Sequence, residues 1–427
     1  MGELDPRQEC ALLAVPLDYD DPDGPTIDVA VSRIATADAA LREGVILFNP
    51  GGPGGEGLNL PTLVAQLLEP EVLARFDLVG FDPRFIGRST PVTCGLPVDE
   101  HLILKFIPWL RPGGVAENFA VAEELSAACA ANGGEILVHG TTANTARDMD
   151  RIREALGEEK ISYVGYSYGS YLGAVYASLF PDRTDRFVLD SVVNPFGIWR
   201  NVFRSWGPAV EIRFPDLTGW VADHNDIYGL GATSSEVRAK YFELAARLDV
   251  DPIQLPGVLL TGNQFREATR GSLYDDRSFP FLAELWQFVD QSSGPAGGAP
   301  APLDAGALAL FPEVPADNPV AAALTVLCDD AEWPRDLGHY ERAVRIDGRL
   351  FPVAGAMAAN AWTCAAWHFD PVDPLVGIHD DGPANVLLVQ NTRDPATPYW
   401  GAIAMRVALG GRSRLVTVNE GGHGVFA

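Results

Sequence analysis

The chain has 427 residues, 47% of them hydrophobic and 21% charged, with 31 basic against 57 acidic side chains and a net charge of −26. That length and composition exclude a disordered or fibrous chain and suit either several domains or one large α/β domain carrying an insertion. The acidic surface repels phosphate backbones and anionic bilayers, and no run of 18 apolar residues exists, so neither nucleic acid nor a membrane is an expected partner.

The first residues, Met1 to Asp5, lack the basic start and apolar stretch of a secretion signal. The expectation is a cytoplasmic protein if Met1 is the native start, or otherwise an exported mature form without its leader. Ala11–Pro16 and Ile27–Ile34 read as strands, and Asp20-Asp21-Pro22-Asp23-Gly24 between them predicts a β-hairpin. Val45–Phe48 is a short apolar strand running into Asn49-Pro50-Gly51-Gly52-Pro53-Gly54-Gly55-Glu56-Gly57. Leu58–Leu68 reads as a helix and Phe76–Asp82 as a second buried strand. Thr142–Leu156 carries Ala146, Met149, Ile152 and Leu156 on one stripe and predicts an amphipathic helix. Ile161–Gly165 reads as a strand, Ser170–Phe180 as a helix, and Phe187–Val193, Val386–Gln390 and Arg414–Val418 as further strands. Short apolar strands alternating with helices predict a mostly parallel sheet covered on both faces. The rhythm breaks between about Pro195 and Pro383, a stretch with helical patterns such as Ser235–Leu248 and a low-complexity loop at Gln291–Pro302. This divides the chain into a first core segment 1–194, an insert 195–383 and a second core segment 384–427.

The sharpest chemical signal is Gly165-Tyr166-Ser167-Tyr168-Gly169. By itself GxSxG is weak, with roughly 0.2 chance matches expected at this glycine content. Here an apolar strand precedes it and a helix of small residues follows, as a nucleophile elbow requires. The residues two positions either side of the serine must be small for so sharp a turn, and the helix N-terminus aims its amides at a developing oxyanion. An acyl-transfer oxyanion hole takes one amide from the residue after the nucleophile, here Tyr168, and a second from a loop after an earlier strand. Gly52 is the first choice for that second donor, with Gly51 or Gly54 as fallbacks. A base and an orienting acid complete the set. His423, in Glu420-Gly421-Gly422-His423-Gly424, stands out among seven histidines. Asp394, in a loop after the strand Val386–Gln390, is preferred to Asp190 as the acid. HExxH, a P-loop and a credible dinucleotide fingerprint are absent, so no metal and no organic cofactor is implied. The five cysteines, Cys10, Cys94, Cys129, Cys328 and Cys364, are too scattered for a zinc knuckle or CxxC, and their odd number leaves at least one unpaired.

These motifs, in this order, resemble the α/β-hydrolases of the tripeptidyl-aminopeptidase type, relatives of the prolyl iminopeptidases abundant in actinobacteria. The resemblance runs from Glu9-Cys10-Ala11 and Val15–Tyr19 through Asn49–Gly57, Asp77–Arg84, Gly165–Gly173 and Asn391–Pro398 to Glu420–Gly424. It implies an α/β-hydrolase fold with a largely helical cap inserted before the strand that carries the triad aspartate. It implies Ser167 as nucleophile, Asp394 as orienter, His423 as general base, and removal of short peptides from free N-termini. Cys328 and Cys364 fall where the family often has cap cysteines, which implies a disulfide between them, while Cys10, Cys94 and Cys129 receive no pairing. The family's final helix and strand would follow Ala427, four residues past His423, and a tail of that kind would account for the odd cysteine.

Two positions depart from the family pattern. Glu56 replaces a small residue, and Phe85 stands where a glycine is expected. Glu56, Phe85, Asp330 and Glu332 are the candidate substrate contacts. An aminopeptidase needs a carboxylate for the α-ammonium, and Glu56, Asp329, Asp330 and Glu332 are the candidates for that too. Trp333, Trp362 and Trp367 are candidate pocket walls or core. The expected partner is a peptide or another small-molecule substrate. The first functional reading is a serine aminopeptidase working through an acyl-enzyme. The alternative keeps the machinery but cleaves or cyclises an ester, thioester or amide in bacterial natural-product biosynthesis. A non-catalytic binding protein is the weakest reading, because all three triad residue types are present.

Overall fold

The computed structural model describes residues 4–99, 102–255, 258–292 and 314–426. An eight-stranded sheet forms the centre. Its strands in chain order are β1 (Glu9–Pro16), β2 (Thr26–Ile34), β3 (Gly44–Asn49), β4 (Phe76–Phe81), β5 (Ile161–Tyr166) and β6 (Thr184–Asp190). A separate small hairpin supplies β7 (Ile253–Leu255) and β8 (Val258–Leu260), and β9 (Val386–Arg393) and β10 (Ser413–Gly421) complete the main sheet. The spatial order is β1-β2-β4-β3-β5-β6-β9-β10. β1 pairs antiparallel with β2 from Glu9↔Arg33 to Pro16↔Thr26, and β2 antiparallel with β4; all other neighbours are parallel. Every residue of β4 is buried, as expected for an interior strand covered on both faces, whereas β10 at the sheet edge is largely exposed.

Helices of ten residues or more are α1 (Gly114–Gly133), α2 (Thr142–Ala155), α3 (Tyr168–Leu179), α4 (Trp206–Asp223), α5 (Ser234–Val250), α6 (Gly262–Ser272), α7 (Phe279–Gln291), α8 (Asn318–Asp329), α9 (Leu337–Leu350) and α10 (Tyr399–Ala408). α2 buries Ala146, Met149 and Ile152 as its pattern predicts. α3 is buried from Tyr168 to Ser178, and Gly173 lets it close on the sheet: a Cβ there would lie 2.4 Å from the Tyr163 ring. α4 to α9 and the β7–β8 hairpin all lie in the chain between β6 and β9. Within that stretch Thr233 and Thr261 close capping boxes with Glu236 and Gln264, each worth about 1 kcal/mol.

Several local expectations shift. The helix expected over Leu58–Leu68 is only Leu60–Val64; residues 65–67 are turns, and Glu69, held extended before Pro70, separates them from a further short helical turn at Pro70–Leu73. The strand expected over Phe187–Val193 is Thr184–Asp190, ending where Ser191 turns to φ +55°. Cys328 and Cys364 are bonded, and Cys94 pairs with Cys129, leaving Cys10 free. Each bridge spans about 35 residues, so chain entropy alone assigns it about 4 kcal/mol. The low-complexity segment from residue 293 onward and His101 lie outside the described residues.

Candidate active site

β5 ends at Tyr166 and α3 starts at Tyr168, so Ser167 must turn the chain alone. It does so at φ 56° and ψ −121°, a conformation that costs a non-glycine residue about 1–3 kcal/mol. The flanking glycines are steric requirements. A Cβ on Gly165 would lie 2.3 Å from the Gly169 carbonyl oxygen, and one on Gly169 would lie 2.7 Å from Asn49 Oδ1. Hydrogen bonds hold the turn: Ser167 N–H donates to the Asp190 carbonyl at 3.0 Å, and Ser170 Oγ donates to the Ser167 carbonyl at 2.6 Å while accepting from Val193 N–H.

The glycine-rich loop after β3 lies directly against this elbow. A Cβ on Gly51 would sit 2.4 Å from the Tyr166 carbonyl oxygen and 3.0 Å from Ser167 Cβ. Gly51 N–H is held by Asn49 Oδ1 at 3.0 Å, and Gly52 follows, exposed, at φ 112°. Asp82 ties the far end of the loop, accepting from the amides of Gly57, Leu58 and Arg88 at 2.8–3.1 Å. Burial pushes its carboxyl up to about 6 despite those donors.

At the ends of β9 and β10, His423 Nδ1 lies 2.9 and 3.0 Å from the two Asp394 oxygens. Asp394 also accepts from the amides of Ala396 and Thr397, Thr397 Oγ1 and Gln390 Nε2. An acceptor-only carboxylate facing Nδ1 places the imidazole proton there and leaves Nε2 as the basic nitrogen. Burial opposes the imidazolium, but the Asp394 charge and hydrogen bond, with Asp190 behind them, outweigh it, so the His423 pKa is raised. Asp190 has a different job from Asp394. Its carboxylate accepts from the amides of Val425 and Phe426 and from Ser191 Oγ, while its backbone oxygen holds Ser167 N–H. One buried residue thus anchors both the serine turn and the histidine loop.

Residues 44–235 match the α/β-hydrolase-fold family and residues 351–427 the TAP-like family. A tripeptidyl aminopeptidase of Streptomyces lividans is 38% identical over 98% of this chain and 78% of its own length. The serine protease Hip1 of Mycobacterium tuberculosis is 30% identical over 97% of this chain and 81% of its own. A carboxylesterase B of the same organism is 31% identical over 94% and 78%. The chain belongs to the tripeptidyl-aminopeptidase-like α/β-hydrolases.

In this hydrolase residues between β6 and β9 pack against the histidine loop. His423 N–H donates to the Tyr274 carbonyl at 2.8 Å, and the two rings meet edge-on at 4.9 Å. Buried Arg213 lies beneath the histidine loop, paired with Asp216 and Asp276; a Cβ on Gly421 would strike its guanidinium. Sequence reasoning missed Tyr274 and Arg213, since nothing local distinguishes Tyr274 from an ordinary residue just past a helix or Arg213 from an ordinary mid-helix arginine.

The candidate contacts separate. Glu56 is exposed beside the glycine loop and Glu332 is exposed elsewhere. Phe85 is 1% exposed, at φ +70°, with its ring near Gly140, so it has no surface to offer a substrate. Asp330 is buried and its carboxylate is taken up by Thr142 and Trp199; Asp329 is buried and accepts from Trp367 Nε1. Trp333, Trp362 and Trp367 are core, Trp362 stacking on Phe203 at 4.2 Å. A cavity of about 840 Å³ lined by Trp109, Arg266 and Met357 contains none of Ser167, Asp394 and His423.

Proposed function

We propose that this protein is a serine aminopeptidase. Ser167 Oγ attacks the scissile carbonyl while His423 Nε2 takes its proton, and the amides of Gly52 and Tyr168 hold the resulting oxyanion. The imidazolium, steadied by Asp394, then gives that proton to the leaving amine as the C–N bond breaks. Water, deprotonated by His423, hydrolyses the acyl-enzyme ester and restores Ser167. The observation that carries this reading is the strained Ser167 turn sharing Asp190 with the loop of a histidine bonded to a buried aspartate. Residues 195–383 act as the cap between core segments 1–194 and 384–427. Glu56, the accessible acid beside the oxyanion loop, is the candidate for the substrate α-ammonium. The identity to a tripeptidyl aminopeptidase supports a peptide substrate. The carboxylesterase relative supports the second reading, an ester, thioester or amide substrate for the same residues.

The test is a rate assay of wild type and Ser167→Ala on free-amine peptide arylamides, their N-blocked forms and short acyl esters. Turnover of free-amine peptides alone, abolished in the variant, is the expected result. Turnover of esters alone would transfer the function to the second reading, and an unchanged rate in Ser167→Ala would refute both.

A further inference from the structure

Helix α8 packs on the glycine loop and, through Asp330 at its C-cap, reaches the partners of Tyr168. Near its N-terminus the Pro319 carbonyl and Ala323 Cβ press on the glycine loop: a Cβ on Gly54 would lie 2.5 Å from the former and 3.3 Å from the latter. Asn318 fixes the neighbouring core loop, donating to the carbonyls of Phe85 and Val92 and accepting from Gly87 N–H, all at 2.8 Å. At the other end Asp330 accepts from Thr142 N–H and Thr142 Oγ1 at 2.6 Å each and from Trp199 Nε1 at 3.0 Å. Thr142 Oγ1 in turn lies 3.0 Å from the Tyr168 hydroxyl, and the Trp199 ring packs on the Tyr168 ring at 5.7 Å. Two handles on the Tyr168 side chain, Thr142 and Trp199, therefore converge on one carboxylate, while Thr145 also hydrogen-bonds the hydroxyl. The Thr142 hydroxyl has a single proton and donates it to Asp330, so it accepts from Tyr168.

We propose that Asp330 is a positioning residue that aims the Tyr168 amide through Thr142 and Trp199, and that α8 sets the spacing of the two oxyanion donors. This rests on the serine-hydrolase reading above. Asp330 touches no reacting atom. Its effect is to hold Tyr168, and with it the backbone N–H that follows the nucleophile, in one orientation before the oxyanion forms. Burial raises the Asp330 carboxyl to about 6, so it is ionised at neutral pH and protonates just below. The ionisable groups facing it are Asp329 on its own helix, Asp373 across a small shared cavity, and Tyr168 and Tyr171 on α3; Arg147 lies beyond, 3.8 Å from Asp373. On protonation the carboxyl O–H donates to Thr142, whose own proton turns onto Tyr168, and the chain of hydrogen bonds reverses.

The test compares Asp330→Asn, Tyr168→Phe and the double variant with wild type and Ser167→Ala, on whichever arylamide or ester the wild type turns over. Expected is a fall in kcat of about tenfold to a hundredfold for Asp330→Asn, short of the loss of a whole oxyanion donor, with KM within about threefold. Tyr168→Phe should lose less, and the double variant no more than Asp330→Asn alone. In the wild type, log(kcat/KM) should steepen from slope one toward slope two below about pH 6, as Asp330 protonates after His423; in Asp330→Asn it should stay at one. Additive losses, or a wild-type kcat per active site with an unchanged slope, would overturn the proposal and leave Asp330 merely structural. Should Asp330→Asn not fold, Tyr168→Phe with wild-type kcat overturns it alone. Silent Asp330 variants beside a dead Ser167→Ala refute only this inference, whereas an active Ser167→Ala refutes the reading beneath it.

Discussion

Two buried carboxylates compete for the orienting role, and exchanging each for its amide separates them. In Asp394→Asn the new amide must face either a donor or the His423 Nδ1–H, and it favours the wrong imidazole tautomer. In other serine triads this substitution costs about 10⁴ in kcat. Asp190→Asn acts differently. The carboxylate holds the Val425 and Phe426 amides at 2.8–3.1 Å, and an amide nitrogen in place of one oxygen turns at least one of these contacts into donor against donor. A hydrogen bond to a charged group is worth about 1.5–3 kcal/mol. If that loss falls wholly on the competent position of the histidine loop, the rate falls by about tenfold to a hundredfold. The second-order rate of Ser167 labelling by a fluorophosphonate measures both variants without knowledge of the substrate. Labelling suppressed as strongly in Asp190→Asn as in Asp394→Asn, or an Asp394→Asn rate within tenfold of wild type, would refute the division of roles.

The raised pKa of His423 sets an acid limb in kcat/KM above pH 6.5, with activity lost as pH falls through it; a limb well below 6.5 would contradict the Asp394 pairing. The sign for stability is opposite: a raised folded-state pKa means this pair stabilises the fold fully below the unfolded value and ceases to do so as pH rises through the folded one. Gly51→Ala should reduce fluorophosphonate labelling at least a hundredfold with the fold retained by circular dichroism, because its Cβ would lie 2.4 Å from the Tyr166 carbonyl oxygen beside Ser167; near-normal labelling would mean the loop sits elsewhere. Arg84→Met leaves Asp148 buried without its partner and should cost about 3–5 kcal/mol, read as a large fall in denaturation midpoint; a midpoint within error of wild type would remove that ion pair from the stability of the core.

Local rules decided much of this protein. Strand and helix types followed from apolar runs and stripes, and the elbow followed from two glycines flanking a serine, because a sharp strand-to-helix turn excludes side chains on short-range steric grounds alone. The triad candidates were legible for a related reason: Ser167, Asp394 and His423 each stand just past the end of a strand of the main sheet. The sequence preferred Asp394 to Asp190 by its place in a loop after a core strand, and Asp190 is indeed the last residue of β6, but what each acid does was not legible. The difference lies in which partner each meets from elsewhere in the chain, an imidazole for one and two terminal amides for the other. The Cys94–Cys129 pairing belongs with these, as spacing does not specify which thiols approach. Phe85 and Asp330 illustrate the same limit from the other side. A departure from the family pattern singled out Phe85 and its charge singled out Asp330 as substrate contacts, but Phe85 is buried with its backbone carbonyl held by Asn318, and Asp330 is turned onto Thr142 and Trp199. Whether an acid ends exposed or taken up by buried donors, as Asp330 is by Thr142 and Trp199, depends on contacts between residues 131 to 188 positions apart, and such contacts exist only once the chain has folded.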